Sequence, residues 1–151
     1  MIDAYLKHEE ERNAQGIPAL PLSPEQTEGL CELLQNPPAG KEDFLMNLFT
    51  QRVSPGVDPA AEVKAAFLAE LTTGAKSSPL IDKVKAVQIL GTMIGGYNVQ
   101  PLIDALSDSA LADEAATALS SMTYVYDAAD QVIELSKNNA AAKKVVESWA
   151  N

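Results

Sequence analysis

The chain has 151 residues, 11 basic and 21 acidic, for a net charge of −10, a length that suits one domain burying about 70% of its unfolded surface without a metal or disulfide. With Arg12 and Arg52 its two arginines, it lacks the Lys/Arg stripe of a nucleic-acid binder, so no direct RNA or DNA partner is expected. Cys31 is its single cysteine, which excludes an intrachain disulfide and a multi-thiolate cluster and fits a reducing cytoplasm.

In chain order, Asp3 is expected to cap a first helix that runs to about Asn13 and ends at Gly16. The start, Met-Ile-Asp-Ala-Tyr, has neither the basic region nor the long apolar run of a signal peptide. Gly16-Ile-Pro-Ala-Leu-Pro-Leu22 reads as extended, because two prolines fix φ and remove donors. Ser23-Pro24-Glu25-Gln26 combines an N-cap serine, a first-position proline and a capping-box glutamine. The helix it opens aligns Leu30, Leu33 and Leu34 and stops before Pro37-Pro38. A third helix, about Lys41 to Arg52, carries Phe44, Leu45, Leu48 and Phe49 as an apolar stripe. Asp58 and Pro59 open a fourth helix with Val63, Ala66, Phe67 and Leu71 inward, ended by Gly74. Ala75 to Ser78 reads as the loosest loop.

From Asp82 the chain repeats itself. Ala86-Val-Gln-Ile-Leu-Gly-Thr-Met93 and Ala115-Ala-Thr-Ala-Leu-Ser-Ser-Met122 share one pattern 29 residues apart. Val84, Val87, Leu90 and Met93 form the expected core face of the first helix, closed by Gly95-Gly96. A short helix opened at Pro101 follows, burying Leu102, Ile103 and Leu106. Ser109 is the expected cap of the helix through Leu111, Ala115, Ala118, Leu119 and Met122. Two last helices span about Tyr124–Lys137 and Ala140–Trp149. A helix–turn–helix unit recurring at about 30 residues is the pattern of a stacked α-solenoid. No alternating β-branched run supports a strand, and no stretch reaches the ~18 uncharged apolar residues of a membrane span. The expectation is an all-α fold of seven to nine helices in antiparallel pairs.

Chemistry-bearing motifs are sparse. His8-Glu-Glu-Glu11 lacks the second histidine of a zinc helix and reads as a solvated face. Cys31 sits on the apolar side of its helix and reads as a packed core residue. Gly91-Thr-Met-Ile-Gly-Gly96 has neither the lysine nor the preceding strand of a phosphate loop, so its glycines read as helix-ending and close-packing. Asp104, Asp108, Asp113 and Glu114 lack EF-hand spacing, and the first two read as turn and cap residues. No His, Cys and Lys set converges in a recognisable spacing, so no catalytic, cofactor-binding or metal-binding residue is expected in this chain. Tyr97, Tyr124 and Tyr126 fall at or beside helix ends. Trp149, with Val145 and Val146 before it, places large apolar side chains on the final turns, and these six residues are the expected contact face, the alternative being that Trp149 caps the stack and the tyrosines seal its ends.

The repeat is similar to a short HEAT unit, with Ala86 to Gly91 as one helix and Val99 to Leu106 as the Val-x-Pro-Leu-Ile-x-Ala-Leu of the next. Longer strings are more specific. Leu33-Leu-Gln-Asn-Pro-Pro-Ala-Gly40, Arg52-Val-Ser-Pro-Gly-Val-Asp58, Val63-Lys-Ala65 and Leu90-Gly-Thr-Met-Ile-Gly-Gly-Tyr-Asn98 together resemble the N-terminal domain of the bacterial aconitase B family, from Tyr5 to Trp149. The resemblance implies one HEAT-like α-α superhelical domain over residues 1–151, with a helix and extended segment over 1–22 and the array over 23–151. It implies a scaffolding role in a cytoplasmic enzyme that interconverts citrate and isocitrate through cis-aconitate and also hydrates 2-methyl-cis-aconitate. The expected partners are that enzyme's catalytic and swivelling domains, or a second copy in a homodimer. The family's chemistry implies a 4Fe–4S cluster held by three cysteines. None of those cluster residues has a counterpart in this chain. The alternative is a stand-alone HEAT adaptor unrelated to citrate metabolism.

Overall fold

The computed structural model describes the backbone of residues 1–122 and 125–150 and, Tyr126 apart, their side chains. Among these residues all regular structure is helical. The elements are α1 (Ile2–Asn13), α2 (Pro24–Gln35), α3 (Glu42–Asn47), α4 (Pro59–Thr73), α5 (Lys83–Gly91), α6 (Val99–Ala105), α7 (Ala112–Ser120), α8 (Ala129–Ser136) and α9 (Ala140–Trp149). A π-helical turn, Leu48–Arg52, continues α3, and a 3₁₀ turn, Tyr126–Ala128, precedes α8.

Local chemistry explains most of the boundaries. The Ser23 hydroxyl accepts the Gln26 N–H while the Gln26 side chain accepts the Ser23 N–H, a complete capping box behind Pro24. Asp58 accepts from the Ala60 N–H with Pro59 at the first position, and Asp82 accepts from the Lys85 N–H. Gly74, at φ +83°, ends α4 in the left-handed conformation that favours glycine. Two expected caps are not used. Asp3 lies inside the first turn of α1, whose N-cap is Met1, and its carboxylate faces the positive end of the helix instead. Ser109 is displaced by Asp108, whose side chain accepts the Ala110 N–H and turns the chain so that α7 starts only at Ala112.

The repeat is reproduced closely. α5 and α7 each span nine residues, with both ends offset by 29. They close alike: the hydroxyls of Thr92 and Ser121 donate to the carbonyls of Ile89 and Ala118, at 2.7 and 2.8 Å. Gly91 lets the two helices approach, since a Cβ there would lie 3.0 Å from that of Ala118. Packing runs α2 on α4, α4 on α5, α5 on α7 and α7 on α9. α6 joins both α5 and α7, while α8 lies against α9. Contacts that skip an intervening helix are what stacking of helix pairs requires.

Buried apolar side chains form one cluster from Tyr5 to Val145. Two expected core assignments change. Val84 is exposed, because α5 turns Ala86, Val87, Ile89 and Leu90 inward. Ala66 is exposed too, since α4 instead buries Ala61, Lys64, Ala65, Phe67, Leu68 and Leu71. Lys64 is accommodated because its ammonium donates to the Phe49 carbonyl at 2.7 Å and sits 5.0 Å from the Phe49 ring. The Ala75–Ser78 loop is pinned rather than loose. Lys76 pairs with Glu70 at 2.8 Å and the Ser78 hydroxyl donates to the Leu34 carbonyl.

The extended segment before α2 is held from outside. Arg52 donates through Nε to the Tyr5 hydroxyl at 3.0 Å and through its terminal nitrogen to the Ala19 carbonyl at 2.6 Å. The Leu22 N–H donates back to the Arg52 carbonyl. His8 is half-buried, and its Nε2 accepts the Leu20 N–H at 3.1 Å, a role the charge pattern around it does not reveal.

Candidate interaction site

At the C-terminal end, α9 is anchored by Asn139. Its side chain accepts the Ala142 N–H and donates to the Leu106 carbonyl at 2.7 Å. Val145 is 0% exposed, so it belongs to the core and is removed from the expected contact face. The cause is the helical period, which puts Ala141, Ala142 and Val145 together on the buried face of α9, the helix that packs on both α7 and α8. Trp149 is half-buried against the core, and its indole N–H donates to the Leu119 carbonyl at 3.1 Å, closing the open end of α7. Val146 is likewise half-buried. The Lys144 ammonium lies 2.8 Å from the Asp113 carboxylate and holds that carboxyl below its usual range. Tyr124 and the Tyr126 side chain lie outside the described residues.

Tyr97 leads to a feature that the sequence pattern does not announce. The Val53–Val57 linker and the loop after α5 are locked together. The Ile94 N–H donates to the Pro55 carbonyl at 2.9 Å, and the Tyr97 hydroxyl reaches the Val57 carbonyl at 3.4 Å. A Cβ on Gly95 would lie 2.0 Å from the Gly56 carbonyl oxygen, so only glycine permits this approach. Asn98 secures the loop from beneath, donating to the carbonyls of Leu90 and Met93 while fully buried. On this fixed platform Val57 is 77% exposed, Ile94 76% and Tyr97 36%. The one signal in the sequence is a large apolar residue within each of two Gly-containing loops, Ser54-Pro-Gly-Val57 and Met93-Ile-Gly-Gly96.

The groups able to do chemistry are dispersed. Cys31 is buried in α2, and burial pushes its thiol up to about 12, a packed and unreactive state. Burial lowers Lys64 to about 8. Asp104 accepts from the Gln100 side chain, Asp108 forms its turn and Asp113 pairs with Lys144, so the acidic run is spent on local structure. No group of three or more His, Cys, Asp or Glu is placed to hold a metal ion among the described residues. No helix among them is long and apolar enough to cross a membrane.

Residues 4–151 match the family described as the aconitate B N-terminal domain. The chain is similar to aconitate hydratase B of Pseudomonas aeruginosa, 54% identical over all of this chain, and of Escherichia coli, 52% identical over all of it. The corresponding protein of Synechocystis is 51% identical over 99% of the chain. In each case the chain spans 18% of the relative's length.

Proposed function

Because the chain belongs to the aconitate B N-terminal domain family, we propose that it is the protein-interaction and scaffolding domain of an aconitase B, docking on the catalytic and swivelling parts of that enzyme and making no bonds itself. The observation that carries this reading is one of proportion. A chain alike end to end to aconitate hydratase B is only 18% of that protein's length. The interconversion of citrate and isocitrate through cis-aconitate is assigned to the remainder, in a cytoplasmic enzyme. Residues 1–151 act as a single HEAT-like unit of stacked helix pairs, rigid enough to hold a docking face in place.

A 4Fe–4S cluster, the group this family's chemistry implies, does not fit the residues of this chain. Such a cluster needs several accessible thiolates. The single cysteine, Cys31, is buried and kept protonated by its surroundings. Of the expected contact residues, Trp149, Val146 and Tyr97 retain exposed surface for docking.

Anaerobic reconstitution of the isolated chain with iron and sulfide, followed by a cis-aconitate assay, tests the division of labour. No cluster absorbance and no turnover are expected. Turnover that copurifies with the 151-residue chain would overturn it.

A further inference from the structure

We infer that the locked loop pair carrying Val57, Ile94 and Tyr97 is the surface on which the rest of the aconitase polypeptide seats. This inference rests on the docking reading above and names its contact. Among the described residues Val57 and Ile94 are the most exposed of the large apolar side chains, at 77% and 76%, and the links described above bring their loops together.

Neither side chain supports the domain's own core, so the rigidity beneath them serves what lies outside. A preorganised apolar contact loses little entropy on binding, because its backbone is already fixed. Charge points the same way. From Ala86 to Ile103, and from Val53 to Val57, no charged residue occurs in a chain whose net charge is −10. Interface cores are depleted in charge and enriched in aromatic residues, which this patch matches and a solvated surface does not. A cleft of about 360 Å³ begins beside it at Gly96 and continues along Val99 and Gln100 toward Asp127 and Ala128, room for a side chain of the occupant with one carboxylate at its far end.

The occupant is fixed by length. The relatives continue well beyond this domain, which makes up 18% of them, so a large covalently linked body is available to cover the patch. An uncharged apolar face on an acidic domain suits that body and offers nothing to a phosphate-rich partner.

Hydroxyl-radical footprinting of a full-length aconitate hydratase B carrying this sequence, beside the 151-residue chain alone, tests the assignment. Labelling of Val57, Ile94 and Tyr97 is expected to fall several-fold in the full-length protein, while Leu20, exposed on the extended segment, labels equally in both. Equal labelling of Val57 and Ile94 in the two proteins overturns the inference. If protection then falls on Trp149 and Val146, docking stands and only this surface is wrong. If no residue of the domain is protected, the docking reading falls as well. The double variant Val57→Asp, Ile94→Asp supplies a second readout. In the full-length protein it is expected to release the domain to limited proteolysis several-fold faster, with the melting temperature of the 151-residue chain unchanged. An unchanged proteolysis rate contradicts the inference.

Discussion

The first 22 residues and the repeat from Lys83 to Ser120 are held by different physics. In the repeat, α5 and α7 bury equivalent faces against each other, with Leu90 and Leu119 both fully enclosed. After α1, which has its own helical bonds, residues 17–22 include two prolines and form no regular structure. The N-terminal segment is fixed by single polar links over long separations: Arg52 to Tyr5 across 47 residues and to Ala19 across 33. Damage spreads differently in the two. Loss of an apolar layer propagates through a stack, whereas loss of a polar link frees one segment.

The largest effect is expected in the repeat. Leu90→Ala and Leu119→Ala occupy equivalent buried positions 29 residues apart, and each is expected to cost about 4 kcal/mol with a cooperative fall in melting temperature. Urea denaturation measures both. A large inequality between the two would break the structural equivalence of the units.

Lys64 extends the comparison into the core, as a polar link inside an apolar layer. Its folded value of about 8 lies below the ordinary 10.5, so below pH 8 the ammonium is charged in both states and the domain carries the full burial penalty. Between pH 8 and 10.5 the folded chain sheds this proton before the unfolded one, so its contribution to stability rises with pH. Relative to Lys64→Met, the parent chain is expected to gain about 3 kcal/mol across that window. The buried Cys31 thiol acts in the opposite direction above its ordinary pKa and is coupled to the Lys64 charge, so the two curves are compared in a Cys31→Ala background. A flat difference between the two stability curves would contradict the account.

Arg52→Ala should give the smallest global cost, about 2 kcal/mol, because it removes charged hydrogen bonds from a half-exposed residue. Hydrogen exchange is expected to accelerate at Leu20 and Leu22 while the amides of α5 and α7 stay protected. Arg52→Lys should not restore the parent pattern, since a single ammonium cannot span Tyr5 and Ala19 as the guanidinium fork does. Uniform acceleration across the domain would erase the distinction between the two regions.

The repeat is legible in sequence because its bonds are local and its apolar spacing follows the helical period. The links around Arg52 are not, since their partners are tens of residues apart and no periodicity announces them. Lys64 escapes sequence reading for a related reason. Its charge argues for the surface, and the neighbouring Ala66 suits the inward position in its stead, whereas the Phe49 carbonyl that accepts its proton belongs to another element. Val145 shows the limit of reading terminal apolar residues as contacts: it lies on the core face of α9, and Trp149 closes α7 with a hydrogen bond to Leu119. The candidate site is legible only at Tyr97. Val57 and Ile94 lie in loops, where no period marks a face, and the close approach of Gly95 to Gly56, with the Ile94–Pro55 hydrogen bond, brings them together.

Docking is decided by sedimentation velocity on the 151-residue chain mixed with the same aconitase lacking this domain. A single boundary heavier than either component is expected, formed at equimolar ratio and lost with Val57→Asp, Ile94→Asp. Two independent boundaries at every concentration, with both components folded, would contradict it.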